Sequence, residues 1–301
     1  ASAAERSAVS QEIVKSVVGT VPVAADGSVA FRAPAQRPLL FQLLDEHNVS
    51  LFGMRSQVYL QPGEVMSCAG CHEPRVTSPP ARRYEHAANA PLLTPGPGPQ
   101  YAGGFSFART VQPVLDRSCI RCHGLAHRAK GLSLLGTPTA QFNEAYDNLV
   151  ARPGWLKLAY RNTQTDVSAP GDYGARAGKL ADFLLTGHRS KAKLDAAGFT
   201  RIAEWLDLNG QYYGDYSFQR AERRQPSEAG VQALRAHIAQ SCNSCHAGMR
   251  DQPLAALVNV AAPLESRVLQ APLATEAGGW GQCPEQWKST SEAGYATMRQ
   301  K

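Results

Sequence analysis

The sequence predicts a mainly α-helical chain with a small, sandwich-like β domain at its N-terminus and much irregular loop. Three observations predict it. The pattern Cys-x-x-Cys-His occurs three times, at 68–72, 119–123 and 242–246. Apolar residues recur at helical spacing through most of the chain after residue 105. Before residue 66 the pattern is instead short alternating runs broken by Asp26-Gly27 and Pro62-Gly63. The same observations divide the chain into a β unit at 1–66, a unit with two copies of the pattern at 67–215, and a C-terminal unit with the third at 216–301.

Cys68-Ala69-Gly70-Cys71-His72, Cys119-Ile120-Arg121-Cys122-His123 and Cys242-Asn243-Ser244-Cys245-His246 each have the form of a c-type haem attachment site. Two thiols at that spacing add across the two vinyl groups of one porphyrin, and the adjacent histidine lies under the iron. Two Cys-x-x-Cys pairs could instead build a Cys₄ zinc site, but such a site does not require histidine after each pair. A thioredoxin-like motif would be single and set in a βαβ pattern. Six of the seven cysteines fall in the three frames, with histidine following each time. The expectation is three covalently bound haem c groups, held at Cys68/Cys71, Cys119/Cys122 and Cys242/Cys245, with His72, His123 and His246 as axial iron ligands. The units are then cytochrome c-like, with a helix before each motif.

Haem c is attached outside the cytoplasm in bacteria. Ala1-Ser2-Ala3-Ala4 reads as the start of a chain cut after a small-residue site. The expected location is therefore periplasmic, or otherwise extracytoplasmic, for a mature chain that has lost its export signal. No apolar run approaches the length of a transmembrane helix. The net charge of +6 and pI of about 9.0 point to acidic redox proteins as docking partners. Arginines are scattered, with no basic run and no interleaved aromatic platform, which argues against nucleic acid. A homo- or hetero-oligomer is compatible with the sequence.

In chain order, Val21-Pro22-Val23 leads to a turn at Asp26-Gly27, and Val29, Phe31 and Ala33 alternate as in a half-buried strand. Leu39 to Leu44 reads as a core strand, Asp45 to Asn48 as a polar turn that includes His47, and Val49 to Leu60 as one or two further strands. Residues 74–104, rich in Pro and Gly, form a linker or wrapping loop. Helices are expected over Phe105 to Ser118, Thr139 to Arg152, Gly174 to Thr186 (with Leu180, Phe183 and Leu184 inward), Ala196 to Leu208 and Pro226 to Gln240. Short helices near Leu264–Ala274 and Thr290–Gln300 close the chain.

Several stretches resemble the hydrazine synthase alpha-subunit family. They are residues 19–28, Met54-Arg55-Ser56 with Gln61-Pro62-Gly63-Glu64 before the first motif, and Val111 to Asp116 before the second. Gly187-His188, Trp205 to Asn209, Tyr212-Tyr213-Gly214 and the stretch from Arg267 to Gly279 are similar as well. The resemblance implies that His188 is the distal ligand of the second iron; a C-terminal helix cap is the alternative. The family carries a large β-propeller, for which this chain has neither length nor repeats. Hydrazine synthase itself has a tyrosine ligand four residues after the first motif histidine, where this chain has Val76. His72 is accordingly expected to be an ordinary proximal ligand.

Two classes of function follow. One is a trihaem cytochrome carrying electrons between extracytoplasmic redox partners, with iron potentials tuned by axial ligands and burial. The other is a haem enzyme acting on a small nitrogen compound or peroxide at an open iron, as in hydrazine synthase. His47, His86, His127, His188 and His237 remain beyond the motifs, enough to fill every sixth site, so no catalytic residue is assigned. His86, His127 and Met54 are further ligand candidates, each set against a surface or packing role, and Met249 and Met298 are sulfur candidates for the third iron. Cys283, outside the frames, reads as a buried thiol or an intermolecular disulfide.

Overall fold

The structure, a computed structural model, describes residues 7–9, 13–54, 56–69, 76, 90–159, 168–216, 224–283 and 287–301. Between Pro38 and Tyr59 the chain doubles back as a nested antiparallel ribbon. β1 (Pro38–Leu39) pairs with β4 (Val58–Tyr59), and between them β2 (Gln42–Leu44) pairs with β3 (Ser50–Gly53), with a register shift at Leu43/Leu44. Asp45 Oδ1 accepts hydrogen bonds from the N–H groups of His47 and Val49, and Asn48 takes the left-handed conformation that asparagine tolerates. Val29, Phe31 and Ala33 do not form the expected strand. The neighbouring stretch, Pro91 to Pro95, is broken by proline, and only single bridges, Arg32 to Leu92 and Thr20 to Thr94, reach it. Among the described residues the β region is thus two two-stranded sheets.

These sheets lie against a helical body. α1 (Phe107–Thr110), capped by Ser106, and α2 (Gln112–Ser118), with Pro113 in its first turn, replace the single expected helix. Proline lacks the N–H that an unbroken helix would need there. α3 (Glu144–Ala151) is capped by the Asn143 side chain. α4 (Gly174–Ala177) and α5 (Lys179–Phe183) lead into a wide π-type turn, Leu184–His188, followed by α6 (Arg189–Ala192). α7 (Ala196–Asp207) is capped by Asp195 and buries Ile202, Trp205 and Leu206.

The main core is aromatic at its centre. Phe107 packs edge-on against Trp205 and Tyr146, with ring centroids 4.9 and 5.3 Å apart, and Tyr146 meets Tyr212 at 5.0 Å. Such edge-to-face pairs add about 0.5–1.5 kcal/mol to what area burial gives. Val49 brings the β ribbon into this core. The buried Gln211 side chain accepts from Lys15 N–H and donates to the Lys15 and Phe105 carbonyls, tying the N-terminal segment down.

A second core belongs to the C-terminal part. α8 (Glu228–Ser241), capped by Ser227, α9 (Arg267–Gln270) and α10 (Ala293–Gln300) bury Leu234, Ile238, Leu257, Leu269, Trp287 and Tyr295. Met298 is part of this core, so packing accounts for it. Two side-chain amides join the parts: Asn259 donates to the Ala108 carbonyl at 2.7 Å, and Gln282 to the Arg117 carbonyl at 3.1 Å. Among the described residues no helix is long and apolar enough to cross a membrane.

Candidate functional site

The second and third motifs share one backbone frame. α2 ends at its C-cap Cys119, whose N–H donates to Leu115; α8 ends at its C-cap Cys242, whose N–H donates to Ile238. In each loop the second cysteine and the histidine then donate back to the carbonyl of the first cysteine. Cys122 and His123 donate to Cys119 at 3.1 and 2.9 Å, and Cys245 and His246 to Cys242 at 3.2 and 2.9 Å. Both thiols and the imidazole are thereby gathered at one helix end, held by the last carbonyls the helix leaves unpaired. The buried residues one and two turns back also correspond: Leu115 with Ile238, and Val111 with Leu234.

The first motif differs. Residues 64–69 have no regular structure, so the helix expected before every motif is absent here. Pro62-Gly63 turns the chain immediately upstream and leaves too little length for one. Cys68 is exposed. Cys71, His72 and His86 lie outside the described residues. Val76 is 93% exposed and offers no oxygen ligand.

His188 stands opposite His123. Their rings are 6.2 Å apart between centroids and tilted by 48°. Metal–imidazole bonds of about 2 Å on both sides, plus ring radii of about 1.2 Å, would set centroids roughly 6.4 Å apart. The separation of the two rings is close to what one metal ion between them would need. The wide turn at Leu184–His188 makes this possible through Gly187, whose φ of 121° suits glycine alone. Phe183 was expected to point inward; instead it is half-exposed and stacks on His188 at 4.4 Å, because the wide turn swings it over the imidazole. Burial pushes the His188 pKa down, with His123 and Lys191 adding to the effect. His123 Nδ1 is buried and has no hydrogen-bond partner among the described residues.

Beneath the second motif lies a polar network that sequence reasoning missed. Gln112 donates to Asp116 Oδ1 at 2.8 Å and to the Leu134 carbonyl, and accepts from Asn143. Burial lifts the Asp116 carboxyl to about 7 despite the Gln112 hydrogen bond. Burial likewise pushes the Cys119 thiol up to about 12, with Asp116 and Cys122 contributing. The only sequence signal was an Asp on the inner face of a helix, which by spacing alone cannot be told from an ordinary surface position.

The third motif has a different companion. Cys283 Sγ lies 3.8 Å from His246 Nε2. Burial raises the Cys242 and Cys283 thiols; Cys283 and Cys245 add to the first shift, while Arg267 opposes the second. Met249 is partly buried against the second core. The other candidates stand apart. His127 is exposed in the loop after its motif, His47 is exposed in the β2–β3 turn, and His237 is half-buried on α8. Met54 is half-buried just beyond β3, its N–H donating to the Phe41 carbonyl. Among the described residues no three His, Cys, Asp or Glu side chains gather as a bare-metal site.

Residues 2–73 match the family model of the hydrazine synthase alpha subunit middle domain, a stretch that runs through the first motif. The match supports a relation to that family. No curated protein and no solved structure matches the chain.

Proposed function

We propose that the chain is a trihaem c-type cytochrome that carries electrons between extracytoplasmic redox partners. The observation that carries this reading is the facing pair His123 and His188, 6.2 Å apart at a Cys-x-x-Cys-His loop. A porphyrin supplies four equatorial nitrogens and asks the protein for two axial ligands, which is what this pair offers. An iron held on both sides has no place for substrate, so its use is to change charge. The cysteines hold the group covalently, Phe183 and the wide turn orient His188, and the apolar residues behind the motif exclude water. The positive net charge suits brief docking with acidic partners, an attraction that salt weakens.

A second reading is favoured by the family match, which covers the first motif. In it, the first site is an open iron that acts on a small nitrogen compound or peroxide. One experiment separates the two: the spectrum of the reduced, haem-loaded protein with and without carbon monoxide, followed by mixing with nitric oxide, hydroxylamine and peroxide. The relay reading expects a denatured mass above the 32.4 kDa polypeptide by three haems, and no rapid multiple turnover. Fast turnover at an open high-spin iron would establish the enzyme instead, and a bare-chain mass would sink both.

A further inference from the structure

Cys283 is the one cysteine outside the three motif frames, yet the fold returns it to the third of them. After α9 the chain reverses. Trp280 N–H donates to Gln270, Gly281 N–H to Leu273, and the N–H groups of Gln282 and Cys283 both to Ala271. Gly279 presses against Leu273, where a Cβ would overlap the carbonyl oxygen, so glycine is what permits this approach. Gln282, next in the chain to Cys283, is fixed from its other side by the Arg117 carbonyl. The thiol is therefore held in place by its backbone.

What it faces is the histidine of the third motif. His246 Nε2, the ring nitrogen farther from the backbone, is 3.8 Å from Cys283 Sγ. A metal between them, with bonds of about 2.0 Å to nitrogen and about 2.3 Å to sulfur, would span roughly 4.3 Å. The observed gap is short of that by about 0.5 Å, a movement within reach of one side-chain torsion. Cys242 and Cys245 are reserved for the porphyrin in the reading above, which leaves Cys283 as the thiol free to ligate.

We propose that Cys283 is the distal axial ligand of the third iron, opposite His246. This rests on the trihaem reading. A thiolate donates electron density to iron, whereas a methionine in its place raises the potential. The third site then has a lower potential than it would with methionine in the same place.

The test uses the haem-loaded wild-type protein first. Its denatured mass counts the haems, and the electron paramagnetic resonance of the oxidised protein is expected to show a narrow-spread low-spin signal of thiolate type from one haem in three. Cys283→Ala and Cys283→Met should both lose that signal while keeping three haems. The alanine variant should gain a carbon monoxide-binding iron, and the methionine variant should stay low-spin with one haem titrating at a higher potential. Three haems without a thiolate signal in the wild type would overturn the proposal and leave the cytochrome reading standing. A disulfide-linked dimer that Cys283→Ala abolishes would also overturn it. Fewer than three haems, or zinc at the third motif, would remove the reading beneath it.

Discussion

The second and third motif loops are alike on one side and unlike on the other. Their backbones share three hydrogen bonds from helix end to histidine, and the second adds one from Ile120 N–H to the Leu115 carbonyl. Opposite the histidine, the second loop meets an imidazole carried by the turn at Leu184–His188, while the third meets a thiol from the segment after α9. Beneath them, Asp116 and its amide partners sit under the second loop, where Ala239 holds the corresponding place under the third. The difference teaches that a five-residue motif dictates its own loop and the helix that ends in it, whereas the facing group is supplied by whatever element the fold brings across.

The largest expected effects come from the matched apolar residues. Leu115→Ala and Ile238→Ala each remove a buried side chain one turn before a motif cysteine. Each should cost about 2–5 kcal/mol. Because the two residues belong to different cores, Leu115→Ala should lower the melting of the main body and Ile238→Ala that of the C-terminal part, read by calorimetry as shifts in separate transitions. A single transition moved equally by both would erase the distinction between the two regions.

A more local break is His188→Ala. In the trihaem reading it should turn one haem of three high-spin and open to carbon monoxide, while the third site keeps its spectrum. Fold stability should change little, since His188 is only half-buried. An unchanged spectrum would separate His188 from the second site.

The smallest effect sharpens the contrast beneath the loops. Burial raises Asp116 from 3.8 to about 7, so the folded protein holds this proton more tightly than the unfolded chain. The stability it contributes is full below about pH 4 and is lost as pH rises to about 7. Glu204, raised to about 7, and Asp207, raised to about 6, act in the same direction. Asp116→Asn should therefore flatten part of the decline in melting temperature between pH 4 and 7. The effect should be confined to the main body's transition, because Ala239 carries no charge.

How far the sequence could be read follows the same division. The helices that end in the second and third motif loops, and α7 with its buried Trp205, were legible, because spacing is a local property, although the start of α8 is capped by Ser227 where Pro226 was read as its first turn. His188 was legible only through the resemblance around Gly187-His188. Cys283 was not, since it lies 37 residues from His246 and reaches it by a reversal that depends on Gly279. The missing strand at Val29 to Ala33 failed for a related reason: alternation describes one strand, but a ladder needs a neighbour able to donate. Phe183 was misplaced because helical periodicity does not foresee a π-type turn.

The amide of Gln282 gives the two loops a common thread. Its Nε2 holds the carbonyl of Arg117, two residues before Cys119, and its own backbone continues into Cys283 beside His246. From Cys119 to Cys283 the route runs along the backbone of residues 117–119, across this one hydrogen bond and through the Gln282 side chain. Replacing Gln282 with a residue that lacks the amide would therefore loosen the end of α2 and the segment beside His246 together, from a surface position that belongs to neither core.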